Sequence, residues 1–230
     1  MSDNKRTGFF QGLRDLAAQR REETDVKTRE EKHQQYREMA QRTRDLKMSQ
    51  FKREVLDDCE DFVLQYFQTP EWGIFDQAFM KYGYFFNLEQ FNCRLCPGNS
   101  GLRGAYHPEK KEISLCANNL RAKDYPFVLS HELVHAYDDI RTKNMDWNDC
   151  KKVMCSEIRA YHLSRECQNV SNPTAYQKCI QEGVKKSLNS EEFNVTCEDG
   201  FRGTMEDIFL DCFNDNSPIL DFLSSRKVTQ

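Results

Sequence analysis

The stretch His131-Glu132-Leu133-Val134-His135 decides how this chain is interpreted. Two histidines four residues apart lie on one face of a helix, one turn apart, where both imidazoles can bind the same zinc ion. Glu132 follows the first histidine, and from there its carboxylate can take a proton from a zinc-activated water. The alternative is a pair of surface histidines with an incidental glutamate. The neighbouring apolar residues argue against this alternative, because they are typical of a half-buried helix. They are Val128, Leu129, Leu133, Val134 and Ala136.

A catalytic zinc site needs three protein ligands and one position for water. A third histidine six residues after the second is typical of metzincins, but that position holds Arg141, which excludes the class. Glu157 lies 22 residues after His135, on a predicted second helix. This layout is similar to that of gluzincins, in which a second helix returns a glutamate to the metal. We therefore predict zinc bound by His131, His135 and Glu157, with a surface salt bridge as the alternative for Glu157.

Asp138 shares the helix face of the two histidines, because it follows them by seven and three residues. Its carboxylate could bind zinc, orient a ligand imidazole or face solvent, and we predict the orienting role, which is common around zinc. Tyr161 and His162 follow the predicted third ligand and could donate to an oxyanion. Core packing for Tyr161 and a peripheral place for His162 are the simpler interpretations.

The segment Lys111 to Cys116 alternates in polarity and predicts a strand just before the motif helix. In zincin architectures such a strand lies beside the cleft. We expect its exposed edge to pair with an extended substrate, giving main-chain recognition with little sequence preference.

Charge divides the chain into two parts. Residues 1–53 contain 14 Lys and Arg against 9 Asp and Glu, a net of +5, so the remainder carries −9 of the overall −4. An acidic folded part argues against nucleic acid as the main partner, because phosphate binding needs a basic face. The stretch from Leu13 to Arg53 has no Gly or Pro and predicts a long helix with sparse apolar positions. It is either a solvated, partly disordered arm or a basic contact with anionic lipid or an acidic partner.

The chain has ten cysteines, an even number that suits five disulfides in an oxidising compartment. The pairing is left open by the sequence. Cys93 and Cys96, with His107 and Cys116 downstream, allow a structural zinc site as the less favoured alternative. The disulfide candidates are Cys59, Cys93, Cys96, Cys116, Cys150, Cys155, Cys167, Cys179, Cys197 and Cys212.

The predicted fold class is α+β. Residues 1–54 form a charged helical or partly disordered arm, and residues 55–230 form a mostly helical, zincin-like metalloprotease domain with a small sheet and disulfide staples. No apolar stretch approaches the roughly 20 residues of a membrane-spanning helix, so we expect a soluble or peripheral protein. The helices expected in the domain are residues 55–67, 126–141, 150–167, 175–188 and 205–212.

Several further motifs accompany the two histidines: HELVHAYDD from His131, ISLCANNL from Ile113, Asp146-Trp147, CSEIRA from Cys155, and DCFND from Asp211. Together they resemble one particular family, the mitochondrial inner-membrane metalloproteases that mature a subunit of the ATP synthase. The likeness runs from about Cys59 to Pro218, and the N-terminal arm falls outside it. Tyr161 and His162 depart from the small residues expected after SEIRA, so no role for them carries over.

The resemblance implies a peripheral protein on the intermembrane-space face of the inner membrane, imported by an oxidative disulfide relay. It implies a zinc endopeptidase whose substrate is a precursor of an ATP synthase membrane-sector subunit, and which also assists synthase assembly. The alternative function is a chaperone-like binding module for hydrophobic subunits, with a dispensable or structural metal site.

Overall fold

The computed structural model describes residues 3–98, 100–143, 145–189, 197 and 200–220, with only the backbone at residues 3–30, 32, 33 and 36. The chain divides into two compact units, residues 1–53 and 54–230. That the second unit folds as a domain of its own stays a prediction. The described elements are helices α1 (Asp3–Tyr66), α2 (Pro70–Lys81), α3 (Tyr125–Arg141), α4 (Cys150–Leu163), α5 (Pro173–Leu188) and α6 (Gly200–Asn214), and strands β1 (Phe91–Arg94), β2 (Gly104–His107) and β3 (Glu112–Cys116).

In the first unit the backbone is helical from Asp3 onward, as the absence of Gly and Pro beyond Leu13 predicts. Its described apolar side chains are exposed: Met39 is 58% exposed, Leu46 72% and Met48 55%. A helix that buries no apolar face gains no stability from packing. The sparse pattern of the sequence therefore corresponds to a solvated surface over the residues described.

Helices α2, α4 and α5 each begin at a residue whose side chain caps the helix. Thr69 accepts a hydrogen bond from the amide of Trp72, and Pro70 occupies the first turn of α2. Asp149 caps α4 and Asn172 caps α5 in the same way. The sequence did not predict α2, β1 or β2. It also extended α4 four residues too far, since the helix ends at Leu163 and Arg165 takes a left-handed backbone with φ of 64°.

The predicted strand is present as β3, but its expected exposed edge was wrong. The sheet order is β1-β3-β2, so β3 is the central strand, parallel to β1 and antiparallel to β2. Ile113, Leu115 and Cys116 are fully buried, which is why the strand takes the middle of the sheet. Of the three described strands, β2 is the edge strand that packs on α3.

Two apolar clusters make up the core. The first joins the end of α1, α2, the sheet and α3, and includes Phe79, Ile113 and Leu133, all fully buried. The second joins α4, α5 and α6 around Met154 and Ile180. The facing helices α3 and α4 connect the two clusters. The coarse prediction of a mostly helical α+β chain with a small sheet is confirmed.

Five disulfides tie these elements together, and none of the ten cysteines, all within the described residues, is free. The predicted complete pairing is therefore confirmed. The bridges connect the C-terminal end of α1 to the sheet and α4 to α6. The bridges are Cys59–Cys93, Cys96–Cys116, Cys150–Cys197, Cys155–Cys212 and Cys167–Cys179. Among the helices described, none is long and apolar enough to cross a lipid bilayer.

Candidate metal centre

Helix α3 brings the two motif histidines together on its buried face. The ring centroids of His131 and His135 lie 4.8 Å apart, and the residues are 7% and 3% exposed. The helix holds them there because the intervening Leu133 and Val134 are fully buried in the first core cluster. Two imidazoles in this arrangement can offer one nitrogen each to a common ion.

Helix α4 returns Glu157 to the same point. Its Oε2 lies 3.5 Å from His131 Nε2, and its Oε1 lies 3.4 Å from His135 Nε2. One ligand atom from each of the three residues falls within 4.8 Å of the others. Glu157 is 1% exposed, and it reaches this position because Val153 and Ile158 anchor α4 in the second core cluster.

These three residues fit a zinc ion. The Oε2 atom of Glu157 is buried and has no hydrogen-bond partner among the described residues, which is costly unless a cation occupies the position. Zinc bonds of about 2.0–2.1 Å at tetrahedral angles place neighbouring ligand atoms about 3.3 Å apart, close to the two distances found. A donor set of two histidines and one glutamate is that of catalytic zinc sites with one open position.

The outer nitrogens of the imidazoles contact two residues that sequence reasoning missed. His135 Nδ1 lies 2.8 Å from Ser156 Oγ. His131 Nδ1 lies 2.8 Å from Glu166 Oε1, an ion-pair distance, although the N–H is not directed well enough at the oxygen for a regular hydrogen bond. Such partners fix ring orientation and raise ligand basicity. Glu166 comes from the turn after α4, where helical spacing gives no signal.

Glu166 also pairs with Arg103, in the loop before β2. Burial would raise the pKa of Glu166, but His131 and Arg103 together lower that pKa to about 2. Burial likewise opposes ionisation of Glu157, yet the two imidazoles hold its pKa well below the usual range. Both carboxyl groups are therefore ionised at neutral pH.

Asp138 has other partners than the predicted one. Its two carboxylate oxygens each accept a hydrogen bond of 3.1 Å from Arg159 Nε, and Oδ1 lies 3.0 Å from Arg141 Nε. These contacts of Asp138 differ from the predicted role of orienting an imidazole, because Ser156 and Glu166 lie against the two outer imidazole nitrogens. The carboxylate instead neutralises the fully buried Arg159.

Glu132 follows His131 on α3 and is 6% exposed. Burial raises the pKa of its carboxyl group, and the neighbouring imidazoles of His131 and His135 oppose that rise. A carboxylate with a raised pKa is a better acceptor for the proton of water than an ordinary glutamate. The position and the electrostatics of Glu132 both suit a general base.

Tyr161 and His162 occupy different places. The Tyr161 ring packs edge-on against His131 at 4.8 Å, and its hydroxyl lies 3.2 Å from Ser187 Oγ on α5. His162 faces away from the centre, with Tyr176 and Asn216 as its partners. The simpler interpretation of His162 therefore agrees with its position, while Tyr161 supports a ligand ring.

The alternative structural zinc site is not present. Cys93 is bonded to Cys59, and Cys96 is bonded to Cys116. His107 is the last residue of β2, and its Nε2 lies 3.0 Å from Ser114 Oγ. The sulfur atoms that this site needs are used in disulfides.

Comparison with known proteins gives the same kind of chemistry. The chain is similar to the mitochondrial inner membrane protease ATP23 homolog of Xenopus laevis, 31% identical over 138 residues, or 56% of this chain and 57% of the relative. It is 34% identical to the protease atp23 of Schizosaccharomyces pombe, over 57% of this chain and 75% of the relative. With ATP23 of Meyerozyma guilliermondii it shares 29% identity, over 70% of this chain and 69% of the relative.

The chain spans 57% of the length of the first of these relatives, from Xenopus laevis. No solved structure matches it. The model of the Peptidase M76 family matches residues 57–220, well over half of the chain and all of the metal centre. The chain therefore belongs to the Peptidase M76 family.

Proposed function

We propose that this chain is a zinc-dependent endopeptidase. The zinc ligands are His131, His135 and Glu157, and Glu132 is the general base. The observation that carries the proposal is the meeting of the three ligand atoms within 4.8 Å, although they come from two helices and Glu157 follows His135 by 22 residues. The buried Oε2 of Glu157, which has no hydrogen-bond partner within the described part of the chain, supports a cation at this point.

The residues divide the chemistry among them. A zinc ion held here would polarise the scissile carbonyl and lower the pKa of water. Glu132 takes the proton from the attacking water and passes it to the leaving nitrogen. Ser156 and Glu166 hold the imidazoles in orientation through their outer nitrogens. Burial of the centre keeps the dielectric low, which strengthens each of these interactions.

We propose that substrate recognition is zincin-like and takes place at a strand edge. The edge is that of β2, with which no other described strand pairs. The amide of Cys116 donates to the Arg103 carbonyl, 2.9 Å away. Because hydrogen-bonded pairs alternate in antiparallel strands, Gly104 and Tyr106 direct their main-chain groups away from β3. An extended peptide can pair with this edge, beside the helix that carries Glu132.

The substrate we propose is a precursor of an ATP synthase membrane-sector subunit, processed on the intermembrane-space side of the mitochondrial inner membrane. The family likeness and the names of the relatives, which are inner membrane proteases, support it. Five disulfides suit an oxidising compartment.

Peripheral membrane association is proposed through the basic arm of residues 1–53, whose net charge of +5 suits anionic lipid. Deleting the arm should abolish flotation of the protein with anionic liposomes and leave bound zinc unchanged. Binding should also weaken with salt. Flotation that survives the deletion, or that ignores salt, would exclude the arm as the contact.

A second candidate is a chaperone-like binding module for hydrophobic subunits. The observation in its favour is a set of exposed apolar side chains within nine residues, namely Met80, Tyr82, Phe85 and Leu88. Both activities can reside in one chain, because this segment is separate in sequence from the metal ligands.

One pair of variants separates the two functions. Glu132→Gln keeps the ligand set and should retain one zinc ion per chain, while cleavage of the precursor should fall by several orders of magnitude. Mass spectrometry of the precursor measures cleavage, and native gels of the synthase measure assembly. Phe85→Ser is the matched variant, which should impair assembly and leave cleavage intact. Undiminished cleavage by Glu132→Gln would refute the peptidase proposal.

A further inference from the structure

Gly104, the first residue of β2, lies directly against the helix that carries the zinc-binding motif. A Cβ atom at this position would lie 2.8 Å from Glu132 Oε1, 3.1 Å from Glu132 Cγ and 2.7 Å from Val128 Cγ1. Heavy atoms in favourable contact are about 3.5–4.0 Å apart. Even a methyl group therefore does not fit between the strand and α3 unless something moves.

The backbone gives no other reason for a glycine here. The described glycines with positive φ are Gly83, Gly101 and Gly200, and Gly104 is not one of them. Its φ is thus open to any residue, and the pairing with Leu115 of β3 is regular. Space beside Glu132 is what requires the absence of a side chain.

The two side chains that a Cβ would meet, Val128 and Glu132, differ in their freedom to move. Val128 is branched at Cβ, lies in a helix and is 2% exposed, so its rotamer is strongly restricted. The carboxylate of Glu132 is the far end of a longer side chain and can rotate. A methyl group at residue 104 would therefore displace the carboxylate more readily than the valine.

We infer that Gly104 is a positioning residue for Glu132. By having no side chain, it lets the β2 backbone approach α3 and leaves the Glu132 carboxylate in its place on the motif helix. The inference rests on the proposed peptidase function. It also explains why the proposed substrate-binding edge has a glycine here, since the backbone of β2 passes next to the general base.

Gly104→Ala should therefore lower kcat more than it changes KM or zinc content. A displacement of about 1 Å can cost on the order of 100-fold in rate, and we expect a 10- to 100-fold fall in kcat. The matched control is Gly73→Ala on α2, where a Cβ meets nothing within 4 Å. That variant should keep the wild-type kcat. A proteome-derived peptide library read by mass spectrometry serves as substrate.

A second measurement does not depend on activity. In the chelator-treated protein, Gly104→Ala should lower the melting temperature by the same amount in the wild-type and Glu132→Gln backgrounds, because glutamine has the size of glutamate. In the Glu132→Ala background the fall should be smaller, since the clashing atoms are gone. Val128→Ala should relieve part of the stability loss of Gly104→Ala without restoring kcat.

The outcomes are distinguishable. A wild-type protein that cleaves no peptide faster than Glu132→Gln refutes the proposed function, while the melting temperatures still test the contact with Gly104. An active wild type with an equally active Gly104→Ala variant overturns the inference. So does an equal fall in melting temperature in the Glu132→Ala and Glu132→Gln backgrounds, because it shows that residue 104 does not press on this side chain.

Discussion

Arg159 should contribute strongly to the stability of the second unit. It is fully buried, and its Nε donates to both carboxylate oxygens of Asp138 at 3.1 Å. Its terminal nitrogens contact Asp215 and donate to the Ser217 carbonyl at 2.6 Å. Through these bonds it connects the segment after α6 to α3 and α4.

In Arg159→Met the aliphatic volume is retained, but Asp138 loses its main partner inside the protein. Breaking a buried ion pair costs about 3–5 kcal/mol. Because Arg141 Nε still lies 3.0 Å from Asp138 Oδ1, we expect the lower end, about 3 kcal/mol. For a domain of this size, about 2–4 °C per kcal/mol converts this to a fall of about 6–12 °C in melting temperature.

Urea and thermal unfolding of the chelator-treated protein provide the assay. The control is Arg202→Met, whose ion pair with Glu206 is exposed and should be worth less than about 1 kcal/mol. Under conditions in which Arg159→Met is fully folded, it should bind as much zinc as the wild type. A stability loss as small as that of the control would show that the buried arginine is not what holds the C-terminal segment.

Three further results follow from the site and the disulfides. Glu166→Gln should weaken zinc binding about 10- to 100-fold, measured by competition with a chromophoric chelator, whereas Asp138→Asn should mainly lower stability; the opposite ranking contradicts the geometry. The pKa of Glu166 is lowered to about 2 from an unfolded value of about 4.3, so in the metal-free protein it contributes stability above about pH 4.3 that is lost as pH falls toward 2. Acid titration should show this loss in wild type and not in Glu166→Gln. Reductant should lower the melting temperature sharply, since each disulfide contributes about 2–4 kcal/mol; an unchanged melting temperature would show that the bridges add little.

Local features of the fold were predictable where a short segment contains the whole signal. The motif helix, the strand Glu112–Cys116 and the break at Pro70 follow from periodicity and from the missing amide of proline. Strands β1 and β2 are four residues each and carry little alternation, so the sequence did not predict them. Which strand is central depends on what packs on each side, and this is a property of the assembled sheet.

The sequence by itself determined the ligand types, because two histidines at helical spacing must share a face. It also determined that ten cysteines can pair completely, but not which pairs form. Only the tertiary structure decided that Ser156 and Glu166, and not Asp138, contact the imidazoles, and that Gly104 meets Glu132. The physical reason is that helical spacing fixes neighbours within one element, whereas contacts between elements depend on how α3, α4 and β2 pack together.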